Sequence, residues 1–225
     1  TISQDRGKSW SKPVIIPSLK RTKQPDGYEV APGDLWPTWH AKSQKILATG
    51  KTFNFADGKK ENRLREKVSY SVMDHKTREW EPMRFLQMPK KDHAGYAITA
   101  ANAGCTQRVD LPNGEILLPI RYWRNPKKHN YTSTVARCRF DGQKLTYIEH
   151  GSEMTIPKGR GLYEPSLAKY QGEYFLTMRA DHSAFVAKGK DGLHFEPIRE
   201  WTFDDGKALG SYNTQQHWVT VGGGL

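Results

Sequence analysis

The stretch that decides the fold runs from Gly161 to Phe195, GLYEPSLAKYQGEYFLTMRADHSAFVAKGKDGLHF. Alternating apolar and polar residues give a strand over Ser166–Tyr170, a Gln171-Gly172 turn, a second strand over Glu173–Met178, a bend, a third strand and an Asp191-Gly192 turn. If the first two strands close as an antiparallel hairpin, Glu164 at the entrance of one and Arg179 at the end of the other return to the same sheet edge. A carboxylate and a guanidinium at one edge are a candidate site. The alternative is that the two simply pair with each other across the hairpin.

Working outward, the same grammar repeats. Short runs rich in β-branched and aromatic residues are separated by Asn113-Gly114, Asp141-Gly142 and Gln171-Gly172, and no segment has helical periodicity. One unit runs through Leu35–His40, Lys45–Phe53, a charged segment and Lys67–Met73, and closes at Asp74–Trp80. The next holds Cys105–Leu111, Glu115–Tyr122, Ser133–Phe140 and Lys144–Glu149. A further one starts at Tyr212 with YNTQQHWVTV. Four strands per unit is one propeller blade, and the turn aromatics Trp10, Trp80, Tyr147 and Phe195 recur at roughly 50–70 positions, as in a repeat array. The opening Ser3–Trp10 fits S-x-D-x-G-x-S-W, in which an Asp-bonded turn, a Gly with positive φ and a Trp that buries the turn work together. Trp36 and Trp39 read as core residues, and Cys105 and Cys138 as free packing thiols. The expected architecture is all-β: one propeller domain over residues 1–225, with incomplete blades at both ends, so that the chain is a piece of a longer protein.

The 225 residues carry 35 Lys and Arg against 24 Asp and Glu, a formal net charge of +11, which attracts anions. The basic residues are scattered and not interleaved with aromatics along one strip, so nucleic acid is not expected as a partner. No run of about 18 apolar residues could form a membrane span. The eight His show no metal-ligand spacing, and no P-loop, dinucleotide fingerprint or nucleophile elbow occurs, so no metal and no cofactor is expected. What stands out is Glu164, Arg179 with Asp181 and His182 after it, and the dense hydrogen-bonding segment Tyr212–Trp218. A carboxylate suits the cation-like transition state of glycosyl transfer, and an arginine fork suits a substrate carboxylate.

The Asp-turn motif, LYEPSL, the Arg-x-Asp at 179–181 and YNTQQHW together resemble the sialidase superfamily. The resemblance implies a six-bladed propeller, three arginines around the sialic-acid carboxylate, an Asp acid/base and a Tyr nucleophile activated by a Glu. Glu164 resembles that Glu, and Arg179, fifteen residues on, the second arginine. The first arginine and the Asp find no match in this chain, and the third arginine and the Tyr fall beyond Leu225. Asp34, Gln107, Arg121, Tyr163, Asp181, His182, Asn213, Gln215 and His217, each near a strand end, are expected to contact substrate; Arg121 repeats the placement of Arg179 at the end of an apolar run. The resulting expectation is a monomeric, secreted or periplasmic glycoside hydrolase acting on a terminal acidic sugar of a glycan. The alternatives are a carbohydrate-binding propeller without turnover and, last, a basic scaffold.

Overall fold

The computed structural model describes residues 1–61, 63–209 and 214–224. It contains three antiparallel sheets in chain order. The first comprises β1 (Thr22–Lys23), β2 (Glu29–His40), β3 (Lys45–Ala56), β4 (Lys59–Glu61), β5 (Val68–Asp74) and β6 (Arg84–Phe85); β2, β3, β5 and β6 form its meander. The second comprises β7 (Thr99–Asn102), β8 (Val109–Asp110), β9 (Glu115–Trp123), β10 (Tyr131–Phe140) and β11 (Leu145–His150). The third is β12 (Tyr163–Tyr170), β13 (Glu173–Arg179), β14 (Ala184–Gly189) and β15 (Arg199–Glu200).

Each sheet is a blade, and the blades stack on one another. Strand β9 shows how the sequence achieves this. Its residues Glu-Ile-Leu-Leu-Pro-Ile-Arg-Tyr-Trp are almost continuously apolar, the mark of a strand covered on both faces. Alternation sends Ile116, Leu118, Ile120 and Tyr122 into a core with Leu47, Tyr70 and Val72 of the first sheet. Leu117 goes the other way, into a core with Leu167, Leu176 and Met178 of the third. Arg121 and Trp123 share the parity of Leu117, which is what presents Arg121 to the third blade. Leu118 is wholly buried, and truncating such a residue to Ala typically costs about 2–5 kcal/mol.

The connection between the last two strands of each meander is built on an Asp. Asp74, Asp141 and Asp191 each accept backbone N–H bonds from residues two and three positions on. This is the side-chain-closed turn that the sequence pattern implies. Asp5 makes a related turn, accepting the Ser9 N–H at 2.9 Å and the Ser3 hydroxyl at 2.8 Å.

Several expectations are corrected. Trp10 does not bury its turn: it is 63% exposed, its ring lies beside Gly7 and its Nε1–H donates to the Gly7 carbonyl at 3.1 Å. Trp36 and Trp39 are not core residues but are 41% and 46% exposed. The inner edge of the second blade begins at Thr99, not Cys105; residues 103–108 bridge β7 and β8, and Cys105 itself has φ +58°. Residues 214–224 form no strand, only an isolated bridge between Val221 and Gly224. Tyr212 lies outside the described residues. Both cysteines are free thiols, and burial pushes that of Cys138 up to about 12.

Candidate functional site

The three blades share a local irregularity in an early strand. Ladder register slips between Gly33 and Trp36 in β2, between Thr99 and Asn102 in β7, and between Tyr163 and Ser166 in β12. Inside each slip one non-glycine residue is left-handed: Asp34 at φ +51°, Ala100 at +50° and Glu164 at +50°. A bulge of this kind bends the strand and re-aims a side chain. Strain of about 1–3 kcal/mol at such a position persists only where the surroundings enforce it. Two of the three re-aimed residues are carboxylates.

Glu164 is held between two blades. Its Oε2 lies 2.5 Å from Arg179 Nη1 on the neighbouring strand, and its Oε1 3.4 Å from Arg121 Nη1 on β9. The side chains are 13% exposed for Glu164 and Arg179 and 4% for Arg121, so this triad is largely withdrawn from water. Arg121 lies over the Tyr131 ring, and neither its Nε–H nor its Nη1 has a hydrogen-bond acceptor among the described residues, so its link to Glu164 is an ion pair at 3.4 Å and not a hydrogen bond. The pairing of Glu164 with Arg179 across the hairpin is therefore present, with the Arg121 bridge added to it.

Beside the triad, the Tyr163 ring carries the Arg160 and Arg179 guanidiniums at 4.5 and 4.9 Å. The Tyr163 hydroxyl donates to Asp181 Oδ1 at 2.9 Å and accepts from Arg160 Nη2 at 2.6 Å. Burial, reinforced by the Asp181 carboxylate, pushes the phenol up to about 12. Asp181 shows the opposite balance. Burial works against its charge, but bonds from the Arg160 backbone N–H, the Arg160 guanidinium and the Tyr163 hydroxyl outweigh that and hold it at about 2.

On the other side, Asp34 pairs with Lys51 at 2.7 Å. Gly104 packs under this pair, where a Cβ would lie 3.0 Å from the Lys51 side chain and 3.2 Å from the Asp34 Cβ. The Cys105 backbone N–H donates to the Asp34 carbonyl. Burial, with the Asp34 and Glu164 charges, raises the Cys105 thiol to about 11, too high for a nucleophilic thiolate. His217 stacks on Trp36, centroids 4.4 Å apart and planes at 13°. Its two ring nitrogens are buried without a hydrogen-bond partner among the described residues; burial lowers its pKa while the Glu164 charge pulls the other way.

The fold thus gathers Glu164, Arg179, Arg121, Tyr163, Asp181, Asp34 and His217. Other expected residues are placed differently. Gln107 uses its amide on the backbone of Trp218, donating to the carbonyl at 3.1 Å and accepting the N–H at 2.7 Å. His182 and Gln215 are exposed, and Asn213 lies outside the described residues. Sequence reasoning missed Lys51, Arg160 and Trp36. The signals were a lone Lys after Gly50 in an apolar strand, and Arg160 between two glycines, Gly159 and Gly161, that both adopt positive φ. Chemically the arrangement offers buried guanidiniums beside a carboxylate, with an aromatic–imidazole stack close by.

No protein-family model matches the sequence, and no curated protein matches it. Solved structures do match. Trypanosoma rangeli sialidase in complex with 2,3-difluorosialic acid superposes with a TM-score of 0.65 at 14% identity, over 97% of this chain and 36% of that one. A Dyadobacter fermentans protein of unknown function gives 0.55 at 14% identity, over 74% of this chain and 50% of that one. Zg3597, a family 117 glycoside hydrolase from Zobellia galactanivorans, gives 0.50 at 11% identity, over 78% and 56%. At such identities the likeness establishes the fold, an all-β propeller of the sialidase type. The chain spans from about a third to a little over half of the length of these structures. Among the described residues no helix is long and apolar enough to cross a membrane.

Proposed function

We propose that the site reads the acid group of a sugar, and that the protein is a glycoside hydrolase of sialidase type, removing a terminal sialic acid or related acidic sugar from glycans. The observation that carries this reading is Glu164 shared between Arg121 and Arg179 at the bulge in β12. Two buried guanidiniums around one carboxylate supply the forked donors that recognise a second, incoming carboxylate. A carboxylate such as that of Glu164 is also the charge partner that a cation-like glycosyl transition state calls for. By resemblance, Arg179 binds the substrate carboxylate and Glu164 raises the nucleophilicity of a tyrosine. Tyr163 is a poor candidate for that tyrosine, because its hydroxyl is engaged by Asp181 and Arg160 and its pKa lies above the usual phenol value. On this reading the nucleophile and the remaining arginines come from sequence beyond these 225 residues, and the three sheets are part of a six-bladed ring in an exported, monomeric protein.

Release of 4-methylumbelliferone from its sialoside by the full-length protein tests the proposal. Glu164→Gln is expected to lower the rate by roughly 100-fold or more; equal rates would remove Glu164 from the mechanism. The occupation of the Glu164 carboxylate by Arg121 and Arg179 also favours a second reading, a propeller that binds acidic glycans without turnover. That reading predicts retention of the sialoside with no product.

A further inference from the structure

Far from Glu164 in the topology, at the outer edge of the second blade, three potential metal ligands converge. His93 comes from the loop joining β6 to β7, while His150 ends β11 and Glu153 follows three residues later. One ring nitrogen of His93, one of His150 and a Glu153 oxygen all lie within 4.8 Å of one another. His150 Nε2 is 2.9 Å and His93 Nδ1 3.7 Å from Glu153 Oε1. Two atoms bound to one zinc ion at about 2.1 Å and a tetrahedral angle are about 3.4 Å apart, so these separations bracket those of a coordinated set. We propose that His93, His150 and Glu153 form a binding site for a divalent transition-metal ion of the zinc type, which ties the loop over residues 86–98 to the outer strand of the second blade.

The surroundings are those of a supported site. His150 Nδ1 is 2.7 Å from the Tyr147 hydroxyl, the outer partner that fixes the tautomer of a metal-bound imidazole. Without an ion, His150 Nε2–H donates to Glu153 and Nδ1 accepts from Tyr147. With one, the proton moves to Nδ1 and the Tyr147 oxygen accepts it, so that Nε2 presents its lone pair and the partly exposed Tyr147 hydroxyl turns its own proton to solvent. Glu153 is steered in the same way. Its Oε2 pairs with Arg124 at 2.5 Å, and Arg124 is in turn anchored on Asp92, leaving Oε1 toward the histidines. The His93 backbone N–H donates to Oε1 at 2.7 Å and fixes the loop against it.

The two imidazoles lie parallel, 4.1 Å apart at 5°. One ion can lie in the plane of both rings only if one of them tilts. The His93 side chain is 63% exposed and free to do so, whereas that of His150, at 2%, is locked. The exposure of His93 also leaves room for a water as fourth ligand. Two imidazoles and one carboxylate oxygen suit zinc and its neighbours, and are too few and too soft for magnesium or calcium.

The full-length protein, cleared of metal with a chelator and dialysed, is titrated calorimetrically with zinc chloride alone, and cobalt(II) is then substituted to read the ligand field. One ion per chain is expected, with affinity reduced about 10- to 100-fold in Tyr147→Phe and by more than about 100-fold in His93→Ala, an exposed position whose change leaves the core intact. His194→Ala, which alters an exposed histidine beside Asp191, is expected to bind like the wild type. Absence of stoichiometric binding, undiminished affinity in His93→Ala, or loss of the ion in His194→Ala would each overturn the site.

Discussion

Glu164 and Arg121 belong to different blades, yet Glu164 Oε1 lies 3.4 Å from Arg121 Nη1, because a bulge in β12 turns one side chain and strand alternation in β9 turns the other toward the same seam. The site is therefore a property of blade packing as much as of any single strand.

That seam makes Glu164 a stability residue as well as a site residue. Glu164→Gln leaves two nearly buried guanidiniums without their counter-charge, and the expected loss is about 3 kcal/mol. Adding Arg121→Met to that variant removes one stranded charge and should restore part of the loss. A double-mutant cycle by thermal or denaturant unfolding, with a coupling of about 1–3 kcal/mol, checks this; strict additivity would show that the bridge is not coupled.

Asp181 predicts an acid-sensitive cluster. Its carboxyl is lowered from an ordinary 3.8 to about 2, so the stabilisation it provides is fully present above about pH 4 and is lost as pH falls towards 2. Other lowered carboxyls, such as Asp5 and Asp191, titrate in the same range, so the informative quantity is the difference from Asp181→Asn. In near-ultraviolet circular dichroism the variant should lack the part of the acid transition that reports on Tyr163. An unchanged transition would dissociate Tyr163 from Asp181.

Gln107 should act as a clasp rather than as a substrate contact. Gln107→Ala breaks both bonds to the Trp218 backbone, a loss of about 1–2 kcal/mol confined to residues 214–224. Faster proteolytic nicking in that segment and a red-shifted tryptophan emission are expected, while the main unfolding transition stays in place.

Gly161 marks a close approach between blades. It has φ +75°, and a Cβ there would stand 2.3 Å from the Tyr131 carbonyl oxygen. Gly161→Ala should destabilise the protein by about 2 kcal/mol or more, read as a lowered melting temperature, since neither backbone can yield.

The turns were the most legible part of the fold. Gln171-Gly172 and the Asp residues at 74, 141 and 191 act through bonds within three or four residues, so local sequence suffices to place them. The start of the second blade was misplaced because Thr99–Asn102 reads Thr-Ala-Ala-Asn, with little β-branched character, and is a strand only by pairing with β9. Within the site, Glu164 and Arg179 were visible as ends of one hairpin. Their link to Arg121, the pairing of Asp34 with Lys51 and the stacking of His217 on Trp36 all depend on contacts between distant segments, which no local pattern encodes. The convergence of His93 on His150 and Glu153 escaped metal-spacing rules for the same reason.

The central claim, that buried guanidiniums beside Glu164 read a sugar carboxylate, is tested most directly by calorimetric titration of the full-length protein and its Arg179→Met variant with N-acetylneuraminic acid and with its methyl ester. The account predicts that the free acid binds the wild type about tenfold or more tighter than the ester, and that Arg179→Met abolishes the difference. Equal binding of acid and ester by the wild type, or an undiminished preference for the acid in the variant, would contradict it.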